Sequence, residues 1–172
     1  LTAGYAPSTV DFDNAYNLSG LQYQPTGVGL VAYGMSVGSS TVTVAAESTT
    51  NTDSNATTAN VASRPDLIVA LKTTAGDAVT IKAGLVSHEI VADTGSAQGF
   101  AALGRADVAL GDAKVILGAA FANGAVGYLD NPSTYGAKQA MGGMADSNAD
   151  GSGLSTASMY TSALEYKLGS NV

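Results

Sequence analysis

Cysteine and tryptophan are absent from this chain of 172 residues, and charged side chains make up only 12% of it. Without cysteine there can be no disulfide, no zinc site of the thiolate type and no thiol catalysis. His88 is the single histidine. It could act as a metal ligand or a general base, but no second histidine and no cysteine are present to join it in a site. The formal net charge of −7 means that the chain lacks the basic face that nucleic-acid binding needs. A nucleic-acid partner is therefore not expected.

Long apolar runs are also missing. No stretch reaches eighteen consecutive apolar residues, so a transmembrane helix is not expected. The sequence begins at Leu1 without the charged leader and apolar segment of a signal peptide. If the protein is exported, this predicts a mature form or an internal piece.

What is present is a sheet-forming composition with a period of two. Glycine supplies 21 residues and tyrosine 8, and alanine, serine, threonine and valine fill much of the rest. Seven runs alternate apolar with small polar side chains, which predicts strands. The predicted strands are residues 28–37, 41–47, 65–74, 79–91, 99–110, 113–122 and 156–168. The pattern predicts an all-β, antiparallel chain with a single domain over residues 1–172.

The connections between these strands differ in length on alternate sides. Short turns are predicted at 38–40, 75–78 and 111–112, and long polar stretches at 48–63, 92–98 and 123–155. Residues 9–23 could form a strand with Val10, Phe12, Tyr16 and Leu18 on one side, or a long loop rich in Asp and Asn. The alternation favours a loop over residues 1–26, on the long-loop side. Tight turns on one side and long loops on the other are typical of a transmembrane β-barrel.

Charge gives an independent test, because Lys or Arg facing lipid costs roughly 2–4 kcal/mol near the membrane midplane. The strand charges fall on the face opposite the apolar residues, with Glu89 as the exception at a strand end. These residues are Glu47, Lys72, Lys82, Arg105, Asp107, Lys114, Glu165 and Lys167. An ordinary antiparallel sheet with one solvated face would give the same pattern, so that alternative stays open.

Three segments carry a family resemblance. Residues 65–89 (PDLIVALKTTAGDAVTIKAGLVSHE), residues 111–129 (GDAKVILGAAFANGAVGYL) and the hairpin 29–47 resemble the alphaproteobacterial general porin family. The resemblance implies a sixteen-stranded barrel in the bacterial outer membrane, usually trimeric. Such a barrel passes small hydrophilic solutes and contacts outer-membrane lipid and lipopolysaccharide.

The resemblance also implies site residues. In the family an inward loop carries acids that face basic wall residues. Asp11 and Asp13 in residues 1–26, a possible constriction or extracellular loop, match the loop, and Lys72, Lys82 and Arg105 match the wall. The complete set of predicted pore-lining residues is Asp11, Asp13, Lys72, Lys82, His88, Arg105, Asp107, Lys114, Glu165 and Lys167. Tyr33, Tyr128, Tyr160 and Tyr166 are predicted to form an interfacial aromatic girdle.

The chain departs from the family in its strand number and its end. Seven strands are too few for the family barrel, and an odd number cannot close an antiparallel one. The chain ends Gly-Ser-Asn-Val instead of with a terminal strand and an aromatic residue. This predicts that the sequence is part of a longer chain.

Chemistry beyond transport has little support in the sequence. Asp146, Asn148 and Asp150 have the spacing of calcium ligands, but Ala157 replaces the bidentate Glu of an EF-hand loop. A weak calcium site and a flexible polar turn both fit. Residues 34–38 (GMSVG) match Gly-x-Ser-x-Gly, but they lie in a predicted strand that runs into a short turn and do not form a strand-to-helix elbow. No phosphate loop occurs, so neither an enzyme nor another cofactor is predicted. The remaining alternatives are a secreted, filament-forming β protein and a soluble β-sandwich that binds carbohydrate or calcium.

Overall fold

A computed structural model describes residues 1–12, 28–48, 64–92, 95–129 and 153–167. These residues form a single antiparallel sheet of eight strands, in which each strand pairs with the next along the chain. The strands are β1 Thr2–Ala6, β2 Val28–Val37, β3 Ser40–Glu47, β4 Asp66–Ala75, β5 Val79–Ala92, β6 Gly95–Leu110, β7 Ala113–Asn123 and β8 Thr156–Tyr166. A short 3₁₀ turn, Val126–Tyr128, follows β7. The prediction of an all-β, antiparallel chain is confirmed.

The register between strands joins the apolar positions of neighbouring strands onto one face. Tyr33 on β2 pairs with Val44 on β3, and Val44 pairs in turn with Val69 on β4. Val69 pairs with Leu85 on β5. Because side chains alternate between the two faces, one such row fixes the orientation of every other residue in these strands. The described strands lie in one sheet, whereas a sandwich needs two sheets.

The first difference from the sequence prediction is at the start of the chain. Residues 1–26 were expected to be loop, and this is wrong for Thr2–Ala6, which pairs with β2. The strand is only five residues long, and Gly4 interrupts it with φ 135°. A segment so short carries too little alternation to be recognised. Residues 13–27 lie outside the described residues.

The second difference concerns the predicted long loop at 92–98. β5 runs to Ala92 and β6 begins at Gly95, so only two residues connect these strands. The polar sequence Asp93-Thr94-Gly95 has the composition of a tight hairpin turn. Polar side chains such as Gln98, paired with Glu89, occupy the extended ends of the hairpin. The strict alternation of short and long connections therefore fails at this position.

The three predicted short turns are confirmed. Gly38, Gly76 and Gly111 each adopt a φ between 61° and 64°, in the left-handed region. A residue with a Cβ is strained there, which explains why glycine begins each turn. These turns lie at one end of the sheet, called here the short-turn end, and the opposite end is called the long-loop end.

Among the described residues, β1 and β8 each pair on one side only, and the sheet is not closed. In that same part of the chain, helices with the length and apolarity needed to cross a membrane are absent. The hydrophobic core lies on one side of the sheet, called here the inner face. There, residues 8–12 and 125–129 pack against the strands.

Candidate functional site

The outer face of the sheet is apolar across all eight strands. Every large hydrophobic side chain that is exposed in the strands points to this face. Examples are Leu85 at 61% exposure, Leu117 at 50% and Leu164 at 70%. An exposed apolar surface of this width is far larger than the patches that monomeric soluble proteins carry. It marks a surface that meets lipid or another protein.

A row of cations crosses the inner face in the part of the strands nearer the short-turn end. Lys72 on β4 pairs with Lys82 on β5, and Lys82 pairs with Arg105 on β6. The three differ in environment, because Lys72 is exposed whereas Arg105 retains only 5% exposure. The structure brings these three predicted residues together as cross-strand neighbours on the inner face.

Residues 8–12 fold over this row from the β1 side. Lys82 Nζ donates to the Phe12 carbonyl oxygen at 2.8 Å, and Arg105 Nη1 donates to the same oxygen at 3.5 Å. Val10 is 1% exposed and lies over Gly84, where an added Cβ would come within 2.4 Å of Val10 Cγ1. The segment is thus seated directly on the strands. Asp11 belongs to it and is half-buried, while Asp13 lies outside the described residues.

Anions accompany the cations toward the short-turn end. Arg105 Nε donates to Asp107 Oδ1 at 2.5 Å, and Lys82 Nζ lies 4.0 Å from Asp107 Oδ2. Lys114 and Glu165 are cross-strand partners with their charged atoms 2.5 Å apart. Lys167 directly follows β8, and its main-chain N–H donates to the Asp112 carbonyl at 2.9 Å. The strand residues Lys82, Arg105, Asp107, Lys114 and Glu165 have the inner-face parity that the sequence predicts.

A second polar group is buried on the inner face at the long-loop end. Glu47 and Asp66 are cross-strand partners, and each is 1% exposed. His88 Nδ1 lies 2.9 Å from Asp66 Oδ1, and the Tyr128 hydroxyl donates to Asp66 Oδ2. Glu47 Oε1 accepts the Thr9 N–H at 2.6 Å, whereas Glu47 Oε2 has no hydrogen-bond partner among the described residues. His88 is therefore hydrogen-bonded on the inner face, with 3% exposure.

Between these two polar groups the inner face is apolar. Ile68, Val86 and Leu103 are buried there, at 0%, 3% and 4% exposure. The inner face is therefore not polar along the whole strand length. Residues 8–12 and 125–129 cover the band and provide its apolar partners, so that it forms a small core.

Among the residues that the structure describes, Glu89 is the one strand charge on the outer face, as the sequence indicates. It lies at the long-loop end and is 7% exposed. Arg64 donates to it through Nη2 at 2.9 Å, through Nε at 3.2 Å and through its main-chain N–H at 3.1 Å. The ion pair neutralises a carboxylate that would otherwise be buried without a counter-charge.

The calcium prediction falls on Asp146, Asn148 and Asp150, which lie outside the described residues. Elsewhere, in the ranges that the structure does describe, no group of three or more His, Asp or Glu could hold a metal ion.

The tyrosines of the predicted aromatic girdle lie on two different faces of the sheet. Tyr33, Tyr160 and Tyr166 are exposed on the outer face, but Tyr128 is buried on the inner face, so its assignment to the girdle is wrong.

Gly99 allows residues after β7 to approach the inner face. A Cβ at this position would lie 2.0 Å from the Gly124 carbonyl oxygen and 2.4 Å from its carbon. These are main-chain atoms that cannot turn aside, so we expect Gly99→Ala to destabilise the fold by about 1–3 kcal/mol in chemical denaturation. Gly104→Ala on the same strand is the control, because its Cβ would meet nothing closer than 4.0 Å. Equal denaturation midpoints for the two variants would contradict the close approach.

Sequence patterns did not identify Asp66 and Tyr128 as partners. Asp66 shares its strand face with Ile68 and Ala70, and an acid on an otherwise buried face is the one available signal. Tyr128 lies 62 residues further along the chain, in a segment without periodicity.

Comparison of the chain with protein-family models, with curated proteins and with solved structures finds no match.

Proposed function

We propose that this chain forms the wall of an outer-membrane porin, a water-filled channel for passive diffusion of small hydrophilic solutes and ions. The observation that carries the proposal is the division of charge between the faces. The outer face is apolar over eight strands, and Glu89 is its one charged strand residue within the described ranges. Lipid satisfies such a face without any further protein layer.

The inner face supports a selective aqueous path. Lys72, Lys82 and Arg105 form a transverse row of positive charge, and Asp107 lies beside it. A ring or row of fixed charges selects permeating ions by their sign. Residues 8–12 lie over the row and would narrow the path there, which fits the inward loop that the family resemblance implies.

A membrane location places a requirement on the sheet edges. Every main-chain N–H and C=O in the hydrocarbon layer must be hydrogen-bonded within the protein. The proposal therefore includes further strands that pair with β1 and β8 to close the barrel. A sixteen-stranded barrel in a homotrimer, bathed by outer-membrane lipid and lipopolysaccharide, meets this requirement.

Planar-bilayer recording of the full chain, extracted and purified in detergent, tests the function. We expect stepwise, long-lived conductance increments and swelling of liposomes in isotonic solutions of small neutral sugars. A chain that stays monomeric in water without detergent, and that adds no conductance, would refute the proposal. Sedimentation of lipid-free filaments would instead favour the structural alternative.

A further inference from the structure

Residues 124–129 form a second inward segment on the inner face. Residues 8–12 enter from the β1 edge of the sheet, whereas residues 124–129 enter from the edge where β7 and β8 lie. The segment leaves β7 at Asn123, passes over Gly99 on β6 and reaches Asp66 on β4. Because neighbouring strands lie about 4.8 Å apart, it crosses roughly 14 Å of the inner face. A path of that length covers a substantial part of a channel wall.

Several independent contacts fix the segment. Gly124 adopts φ 66°, which favours glycine, and its N–H donates to the Ser155 carbonyl at 2.7 Å. A Cβ at Gly124 would lie 2.7 Å from Ile90 Cδ1, so the segment packs closely on β5. Val126 and Leu129 are 6% and 0% exposed. The segment is therefore a packed part of the wall.

Tyr128 supplies the polar anchor at the far end of the segment. Its hydroxyl donates to Asp66 Oδ2, and its ring lies edge-on to His88 with the centroids 6.2 Å apart. Asp66 also bonds His88 and is 1% exposed, so its carboxylate is held from both sides. A buried carboxylate that loses one of its donors is left with an unmet polar group, which is costly.

The two inward segments act at different depths. Phe12 lies at the level of Lys82, whereas Tyr128 lies at the level of His88, six residues further along β5. Six residues of strand span roughly 20 Å. We infer that residues 124–129 form a second constriction at the long-loop end, with Tyr128 as the positioning residue that holds it against Asp66. This inference rests on the proposed channel function.

A single-cysteine labelling experiment tests the anchor. The chain contains no cysteine, so Val126→Cys introduces a unique thiol in the segment. In the folded, detergent-solubilised protein this thiol should react slowly with a maleimide, because a buried group reacts only when its segment opens. Adding Tyr128→Phe removes one hydroxyl and keeps the ring. We expect it to raise the labelling rate about tenfold or more.

Channel recordings test the constriction itself. Tyr128→Phe in the cysteine-free chain should raise single-channel conductance by roughly half and admit larger neutral sugars into liposomes. Tyr160→Phe is the matched control, since Tyr160 is 81% exposed on the outer face, and it should change neither labelling nor conductance. Asp66→Asn removes the anchoring charge with little change in size, and should reproduce the rise in labelling.

The possible failures are distinguishable. Unchanged labelling in both Tyr128→Phe and Asp66→Asn would show that the hydroxyl contact does not hold the segment, and would overturn the inference. Faster labelling without any change in conductance or sugar cut-off would also overturn it, because the segment would then move without narrowing the path. A wild-type chain that carries no current would refute the channel function, and the inference with it.

Discussion

Leu117→Arg is expected to prevent assembly of the protein in membranes. Leu117 lies near the middle of β7, is 50% exposed and pairs with Ala106 and Ser162 on the outer face. An arginine facing lipid near the bilayer midplane costs roughly 2–4 kcal/mol. Since folded proteins are stable by only about 5–15 kcal/mol, this is a large fraction of the total. The measurement is refolding into lipid vesicles, followed by heat-dependent mobility on gels.

Two controls separate charge from packing. Leu117→Ala removes the same side chain without adding charge and should still assemble. Ala109→Arg adds the same charge on β6 but on the inner-face parity, opposite Lys114, and should also assemble. If all three variants assemble equally well, the outer face does not contact lipid. If Ala109→Arg alone fails, the assignment of the two faces is inverted.

The orientation of the strands could be predicted from sequence because side-chain alternation is a local property. A strand such as Val79–Ala92 carries enough period-two pattern to separate its two faces without any knowledge of its neighbours. The register between strands then adds only which residues of neighbouring strands lie side by side. For that reason Lys72, Lys82 and Arg105 were predicted on the face opposite the apolar residues, and the structure shows them as neighbours on that face.

The paths of the connecting segments could not be predicted in the same way. Residues 92–98 have loop composition, yet β5 extends to Ala92 and β6 begins at Gly95, because cross-strand pairs such as Glu89 with Gln98 extend the ladder. Tyr128 was assigned to the outer face from its residue type alone. Its actual position depends on a hydrogen bond to Asp66 across 62 residues, and sequence periodicity carries no information at that distance.

The apolar band of the inner face could not be predicted either, because its burial depends on the paths of the connecting segments. Parity alone predicts that residues opposite the lipid face meet water, yet Ile68 and Val86 are buried beneath Val10 and its neighbours. Burial of a Val or Ile side chain stabilises by about 1.5–3 kcal/mol, which favours the inward path of these segments. The apolar residues of the inner face therefore determine where the two segments pack, and the segments determine which of these residues are buried. These contacts are visible only in the folded chain.

Lys82→Glu is expected to reverse the charge at the centre of the basic row and to favour cations over anions. Lys82 pairs directly with Lys72 and Arg105, so the change places an anion between two cations. Reversal potentials in a potassium chloride gradient should shift toward cation selectivity, with the permeability ratio changing about threefold or more. Assembly should remain intact, because Lys82 lies on the inner face, opposite the face proposed to meet lipid.

Lys82 also donates to the Phe12 carbonyl, so the substitution removes a contact to residues 8–12 as well as a charge. Lys82→Arg keeps both the charge and a donor and should leave the reversal potential unchanged. Lys82→Met removes both without adding an anion. If conductance rises equally in Lys82→Met and Lys82→Glu while selectivity follows the charge, the side chain both selects ions and holds the inward segment. A reversal potential that is the same in all four proteins would place Lys82 outside the ion path.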